Sequence, residues 1–159
     1  MADPVNDATD LAALIRGERV AHLATLRQGA PMASMTLYLP EAGPAGFTGF
    51  LVHVSRLAWH TQDMARDPRV ALSIAQTDDG RADPFTLQRL TVRGTAENLA
   101  NEQPDLKRLW LARFPEQAIN FELADFSFWR ILPRDARFVA GFGRIHNLSA
   151  AQLAECASQ

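Results

Sequence analysis

The sequence predicts a mainly β domain of the α+β class, in which an antiparallel sheet closes or nearly closes into a barrel with helices at its periphery. Six or seven short segments have the residue pattern of strands, and short turns join most of them. The regular alternation of strand and helix that builds a doubly wound parallel sheet is absent. A chain of 159 residues fits one domain, 1–159, with ends at 1–7 and 149–159 that we expect to fray.

The first element is predicted to be a helix over residues 8–16. Asp7 precedes it at a capping position, and Gly17 follows at a position that ends helices. Three apolar side chains recur at helical spacing and would form its buried face, namely Leu11, Leu14 and Ile15.

A hairpin is predicted next, with strands over 20–26 and 32–39 and Gly29 in the turn between them. Successive side chains of a strand point to opposite faces. The polar face of the second strand therefore carries Ser34, Thr36 and Tyr38.

The rest of the chain alternates less regularly between strands and helices. Turn residues fill 41–46 and 77–84, and Pro68 and Pro115 end two helices. Further strands are predicted over 50–54, 70–75, 90–96, 126–132 and 137–139. Helices are predicted over 57–66 and from Pro104 onward, followed by a short helical turn to Phe121. The Ala-rich tail after Leu148 is compatible with a helix or with loose chain.

Composition excludes several classes of function. The formal net charge is −2 and no run of Lys or Arg occurs, so the sequence lacks the electrostatic footprint of a nucleic-acid or anionic-membrane binder. No segment has the apolar length of a membrane span, and the acidic N-terminus differs from a signal peptide. Cys156 is the only cysteine, which excludes an internal disulfide. We therefore expect a cytoplasmic protein that binds neither nucleic acid nor membrane.

The junction between the third strand and the second helix is the best candidate for a binding site. Ser55 falls at the predicted N-cap, and Arg56 at the first helical residue. Free backbone N–H groups, the helix dipole, a hydroxyl and a guanidinium would converge there, which suits a phosphate group. An ordinary capped helix with a solvated arginine is the alternative, and it is the better interpretation of this feature alone.

Other chemical signals are weaker. Arg89 would share a strand face with Thr91, where an arginine can contact a polar ligand edge, although a solvent-facing strand explains the pattern better. The aromatic strand around Trp129 is more typical of a core or an interface than of cofactor stacking. His22 and His53 lie on predicted strands, where packed and hydrogen-bonded histidines are expected. The histidines form no short-spaced metal cluster and no catalytic motif is present, so the sequence predicts no metal site and assigns no catalytic residue.

Five segments in a fixed order carry a family resemblance: 55–61 (SRLAWHT), 67–72 (DPRVAL), 83–84 (DP), 89–94 (RLTVRG) and 138–144 (FVAGFGR). From about Ala8 to Ile145 the chain resembles the pyridoxamine 5′-phosphate oxidase-like superfamily of FMN-binding split barrels. Within that superfamily it is most similar to the HugZ-type haem-utilisation branch. The pair of segments 55–61 and 67–72 is the most specific part of the resemblance.

The resemblance implies a six-stranded split β-barrel and a homodimer with FMN at the subunit interface. The flavin would carry out redox chemistry with a small-molecule substrate or electron donor. The residues that the resemblance assigns to FMN are Ser34, Thr36, Val54, Ser55, Arg56, His60, Thr61, Arg89 and Trp129.

The implied roles differ along the flavin. Ser55 and Arg56 would hold the phosphate, with His60 and Thr61 near them. Ser34 and Thr36 would face the ring and the ribityl chain, and Arg89 takes the position of a glutamine that lies near the ring in oxidase relatives. Trp129 matches a tryptophan that reaches the flavin from the partner subunit.

Two departures from the family pattern limit the expected activity. Pyridoxamine-phosphate oxidases carry Arg-x-His shortly after the tryptophan, whereas residues 135–137 here are Asp-Ala-Arg. Some HugZ-type members use a C-terminal histidine for haem, whereas the last histidine here is His146. We therefore expect an FMN-dependent oxidoreductase, with a haem-degrading oxygenase or a non-catalytic flavin-binding sensor as the alternatives.

Overall fold

Eight strands form the sheet of the computed structural model, which describes residues 4–99 and 101–159. The strands are β1 (Val20–Arg27), β2 (Ala30–Leu37), β3 (Leu39–Gly43), β4 (Gly46–Ser55), β5 (Arg69–Ala75), β6 (Arg89–Leu99), β7 (Phe126–Gly141) and β8 (Arg144–Ser149). The helices are α1 (Pro4–Gly17), α2 (Trp59–Arg66), α3 (Pro104–Arg113) and α4 (Ala150–Ala157), with 3-10 turns over Pro84–Thr86 and Pro115–Phe121.

The sheet is antiparallel throughout and has the order β2-β1-β5-β6-β7-β4-β3, with β8 paired to β7. The strands at the two ends of this order, β2 and β3, are not paired with each other, so the barrel stays open along one seam. This confirms the predicted split barrel with peripheral helices.

Strand β7 pairs with three other strands, because the two halves of one of its edges have different neighbours. Residues 126–131 pair with β4, and residues 135–141 pair with β8. Its other edge runs along the whole of β6, with a register shift at Gly94. A Cβ at Gly94 would collide with the backbone carbonyl of Leu132, so only glycine fits this crossing of the two strands.

The strand count differs from the sequence prediction in two ways. The predicted strands 126–132 and 137–139 are one continuous strand, β7. Strands β3 and β8 were not predicted, because Pro40 and Gly43 resemble a turn and the buried face of β8 includes the polar His146. An edge strand tolerates proline because one side of its backbone needs no sheet partner.

Helix α1 begins at Pro4, so the prediction that Asp7 caps it is wrong. Proline favours the first turn of a helix, which places Asp7 inside it. The Asp7 side chain is buried, accepts a hydrogen bond from Arg144 and lies 2.6 Å from Nε2 of His146. It therefore ties α1 to β8. Residues 1–3 of the predicted frayed segment lie outside the described residues.

The Ala-rich tail is helix α4. The Ser149 hydroxyl accepts from the Gln152 backbone N–H, and the Gln152 side chain accepts from the Ser149 N–H, which forms a capping box. Leu153 is fully buried, so the helix closes the main core inside the barrel. A second core cluster, of Trp110, Phe114 and Phe128, lies under α3. Among the described helices, none has the length and apolar character to cross a membrane.

Candidate functional site

A cavity of about 490 Å³ lies between α2 and the beginning of β7, and we call it the α2 pocket. Helix α2 contributes one wall, and the start of β7 with its preceding turn contributes another. The pocket is lined by Arg56, Thr61, Gln62, Ala65, Arg66, Asn98, Ala124, Asp125, Phe126, Ser127 and Trp129.

The pocket brings three predicted site residues together, namely Arg56, Thr61 and Trp129. Thr61 and Trp129 are 4% and 5% exposed, and neither Oγ1 of Thr61 nor Nε1 of Trp129 has a hydrogen-bond partner among residues 4–99 and 101–159. Buried polar atoms without partners are rare in folded proteins, and each retains the capacity to form a hydrogen bond. The Thr61 hydroxyl and the Trp129 indole N–H can therefore form hydrogen bonds with a polar ligand in the pocket.

The pocket also carries positive charge. Arg56 and Arg66 are exposed at its border, and neither forms an ion pair within 4–99 or 101–159. Unpaired guanidinium groups beside buried donors favour an anionic group such as a carboxylate or a phosphate.

The predicted geometry of the Ser55 junction is wrong. Helix α2 begins at Trp59 with Ala58 as its N-cap, so Ser55 is the last residue of β4 and Arg56 lies in the turn before the helix. The Ser55 hydroxyl accepts from the Leu57 N–H and donates to the Asp125 carboxylate at 2.5 Å. The helix dipole therefore does not act at Ser55, because its effect is confined to the first turn.

Trp129 belongs to the main core of its own barrel, opposite Val52 on β4 and Asn98 on β6. Its expected contact with a flavin of the partner subunit stays a prediction. Side chains alternate along β7, so residue 129 points inward while residue 128 points toward α3. Trp129 therefore lines the pocket of its own chain.

The other predicted residues lie outside the α2 pocket. Ser34 is half-buried on β2, and Thr36 is buried there and donates to the carbonyl of Leu37. Val54 is buried in the core. Arg89 donates to the carbonyls of Phe85 and Leu87, at the opposite end of β6 from the pocket-lining Asn98.

His60 is also outside the α2 pocket, although it lies beside Thr61 on α2. The side chain is half-buried, and this burial lowers its pKa. The assignment of these residues to FMN stays a prediction.

A second cavity, of about 500 Å³, lies between the outer face of β4 and β7 and helix α3, and we call it the β4–α3 cleft. It is lined by His53, Leu99, Asn101, Glu102, Gln103, Pro104, Lys107, Phe121, Leu123, Ala124, Phe126, Ser127 and Phe128. The two cavities adjoin, since Ala124, Phe126 and Ser127 line both, whereas Trp129 lines only the α2 pocket and Phe128 only the cleft.

His53 is the chemically distinctive residue of the cleft. Its ring stacks on Phe121 with centroids 4.1 Å apart, and its Nδ1 is buried without a hydrogen-bond partner in the part of the chain that the structure describes. Burial lowers the pKa of His53 to about 4, so the imidazole is neutral at neutral pH. The prediction that His53 is packed is confirmed, but its predicted hydrogen bond is not found among the described residues. His22 is exposed and not packed, so that prediction is wrong.

Some residues of the α2 pocket were not predicted from the sequence, and they differ in whether a sequence pattern could have indicated them. Ser127 is two residues from Trp129, so strand alternation places both on one face. Arg66 follows Gln62 by four residues and shares its helix face. Asp125 gives no local signal, because its contact with Ser55 spans 70 residues.

Residues 8–140 match the sequence profile of the pyridoxamine 5′-phosphate oxidase family. The chain belongs to that family. The match covers most of the chain and includes the α2 pocket and the β4–α3 cleft.

Two curated members similar to the chain are named as haem oxygenases. The chain is 30% identical over 136 residues to the chloroplastic non-canonical heme oxygenase HOZ of Arabidopsis thaliana, covering 83% of this chain and 40% of that protein. It is 23% identical to the heme oxygenase HutZ of Vibrio cholerae, covering 86% of this chain and 78% of that one. The chain thus spans about two fifths of the length of the Arabidopsis relative.

One solved structure of this family fold is that of a heme binding protein from Mycobacterium smegmatis. It is 27% identical, has a TM-score of 0.75, and covers 93% of this chain and 60% of that chain. Proteins named for haem are therefore among those that this chain is similar to.

Proposed function

We propose that this protein binds haem in the β4–α3 cleft, as a haem-handling member of the family. The observation that carries the proposal is His53, a neutral histidine with an unpartnered nitrogen in a cleft of aromatic side chains. The similarity to proteins named as haem oxygenases and as a haem-binding protein supports it.

The residues of the cleft fit the chemistry of a haem. A neutral imidazole offers a lone pair to a metal, and histidine is a common proximal ligand of haem iron. Phe121 stacks on one face of the His53 ring, and a ring nitrogen would bind iron through its in-plane lone pair. Phe126 and Phe128 would exclude water from the porphyrin.

Lys107 also suits a haem, because its ammonium group places a positive charge in the same cleft. Its Nζ lies 5.2 Å from the centroid of the Phe121 ring. A haem carries propionate groups, and an ammonium group beside the aromatic wall would pair with one of them. When bound, haem supplies the iron on which oxygen chemistry depends, and a haem-degrading activity would also need dioxygen and an external electron donor.

Haem titration followed by absorption spectroscopy tests the proposal. We expect a saturable Soret shift in the wild-type protein, and a weakened and altered Soret band in His53→Ala. His22→Ala is the matched control, since His22 is exposed on β1 and should leave the spectrum unchanged. A wild-type protein without a Soret shift would contradict haem binding.

Flavin binding at the α2 pocket is a second candidate. It is favoured by the two arginines and by the unpartnered Thr61 and Trp129 atoms, which suit an anionic and polar ligand. The flavin would then serve an oxidoreductase, with FMN as the form expected from the sequence. The absorption spectrum of the purified protein, followed by titration of apoprotein with FMN and FAD, tests this candidate. Absence of binding to either flavin would exclude it.

A further inference from the structure

The hydrogen bonds of Ser55 are already complete in the protein. Its single hydroxyl proton is donated to Oδ2 of Asp125 at 2.5 Å, and its oxygen accepts the backbone N–H of Leu57 at 3.1 Å. The backbone N–H of Arg56 donates to the carbonyl of Asp125 at 2.7 Å, which fixes residue 125 beside the turn. The hydroxyl that sequence analysis assigned to a phosphate is thus occupied by a carboxylate of the chain.

Three charged side chains line the α2 pocket, namely Arg56, Arg66 and Asp125. Two guanidinium groups and one carboxylate leave a net charge of +1 on the lining. Asp125 has no ion-pair partner within the described residues, so its negative charge acts on whatever enters the pocket. This arrangement matches a ligand group with one negative charge.

We propose that Asp125 is a specificity-determining residue, which makes the α2 pocket select a monocarboxylate over a phosphate monoester. The Asp125 carboxylate accepts the hydrogen bond of the Ser55 hydroxyl, which a phosphate oxygen would otherwise accept. This inference goes beyond the proposed haem site, because Asp125, Arg56 and Arg66 line the α2 pocket and not the adjoining β4–α3 cleft.

Charge explains the direction of the selection. A phosphate monoester carries a charge of about −1.5 to −2 at neutral pH and brings only acceptor oxygens. Beside the Asp125 carboxylate it meets like-charge repulsion and finds no free Ser55 proton. A monocarboxylate balances the net charge and can take its hydrogen bonds from Arg56, Arg66 and the unpartnered Thr61 hydroxyl.

The experiment compares three flavins that share one ring system: riboflavin, FMN, and a flavin whose N10 side chain ends in a carboxylate. Binding to wild-type apoprotein and to Asp125→Asn is measured by quenching of flavin fluorescence. We expect the wild type to bind the carboxyalkyl flavin at least tenfold more tightly than FMN. Asp125→Asn should bind FMN at least tenfold more tightly than the wild type does, with riboflavin affinity changed less than threefold.

Two further variants keep the test specific. Asp105→Asn removes the same charge from an exposed position on α3 and should change no affinity. Ser55→Ala should cost little FMN affinity in the wild type and at least fivefold in the Asp125→Asn background, because only there is the hydroxyl free. Circular dichroism confirms that each variant is folded.

The outcomes separate this inference from the haem proposal. FMN affinity that is equal in wild type and Asp125→Asn, or unmeasurable in both, overturns the role of Asp125. A wild type that binds FMN more tightly than the carboxyalkyl flavin also overturns it. Either result leaves the Soret titration of the β4–α3 cleft unaffected, and Asp125→Asn should bind haem as the wild type does.

Discussion

His53 is a residue whose burial has consequences for stability as well as for binding. Its pKa is lowered from 6.5 to about 4 in the folded protein because the ring is removed from water. Between these two values the unfolded chain binds more protons than the folded one. The free energy of unfolding therefore falls as the pH falls from about 6.5 toward about 4.

Replacing His53 by phenylalanine should remove this pH dependence while keeping an aromatic ring against Phe121. We expect the loss of unfolding free energy between pH 7 and pH 5 to be smaller by roughly 1 kcal/mol in His53→Phe than in the wild type, after discounting for the partly exposed ring. Urea unfolding at the two pH values measures it. His22→Phe, which leaves His53 in place, should keep the wild-type dependence, and an equal dependence in His53→Phe would contradict the expectation.

Arg56 should contribute to binding any anionic ligand of the α2 pocket. Arg56→Ala removes an unpaired guanidinium and should weaken FMN binding by roughly 1.5–3 kcal/mol, the range for hydrogen bonds to charged groups. Arg16→Ala is the control, because Arg16 is exposed on α1 and donates to the carbonyl of Gln159, away from the pocket. Isothermal titration measures both, and equal affinities would place the anion elsewhere.

At this scale the sequence predicted part of the α2 pocket and could not predict the rest. Arg56, Thr61 and Trp129 were found because the family resemblance names their positions. Asp125 was missed because its partner Ser55 lies 70 residues away, and no periodicity connects residues so distant. The unpartnered nitrogen of His53 was missed for a related reason, since hydrogen bonding depends on neighbours from several elements.

The elements themselves were predicted where a local pattern was strong. The hairpin of β1 and β2 follows from alternation and a turn, in which Gln28 and Gly29 both adopt positive φ. Strand β3 was missed because Pro40 is typical of turns, and only the neighbouring β4 shows that it is an edge strand. The start of α2 was misplaced because Ser55 satisfies a capping rule in sequence but bonds elsewhere in space.

The crossing of β6 and β7 at Gly94 should tolerate no side chain. Gly94→Ala places a methyl group against the Leu132 carbonyl, so we expect a loss of roughly 1–3 kcal/mol of unfolding free energy from overpacking. Gly17→Ala is the matched control, since a Cβ there meets nothing within 4 Å and the stability should be unchanged or higher. A melting temperature of Gly94→Ala equal to that of the wild type would contradict this account.

On the scale of the whole molecule, the surface carries several large apolar side chains. Those that are more than half exposed are Met35, Leu57, Trp59, Phe85, Ile119 and Phe142. Exposed apolar side chains favour association where they lie next to one another, and a two-fold partner is the commonest form of association.

We therefore expect a stable homodimer, as the family resemblance implies. Sedimentation equilibrium at low micromolar concentration should give twice the monomer mass of 17.6 kDa. The measurement is made with and without added haem or flavin, so that a ligand-dependent dimer is recognised. A monomer mass with and without ligand would contradict the expected homodimer.

The buried carboxylate of Asp7 joins two parts of the chain that are made at different times. Its partners, Arg144 and His146, lie about 140 residues later, and α1 packs against α4 at the very end. While the ribosome is still synthesising the middle of the protein, the part of α1 that packs against α4 is therefore still uncovered. The nascent chain must remain incompletely folded until its last strand and helix emerge, and during that interval it is open to chaperones and to proteases.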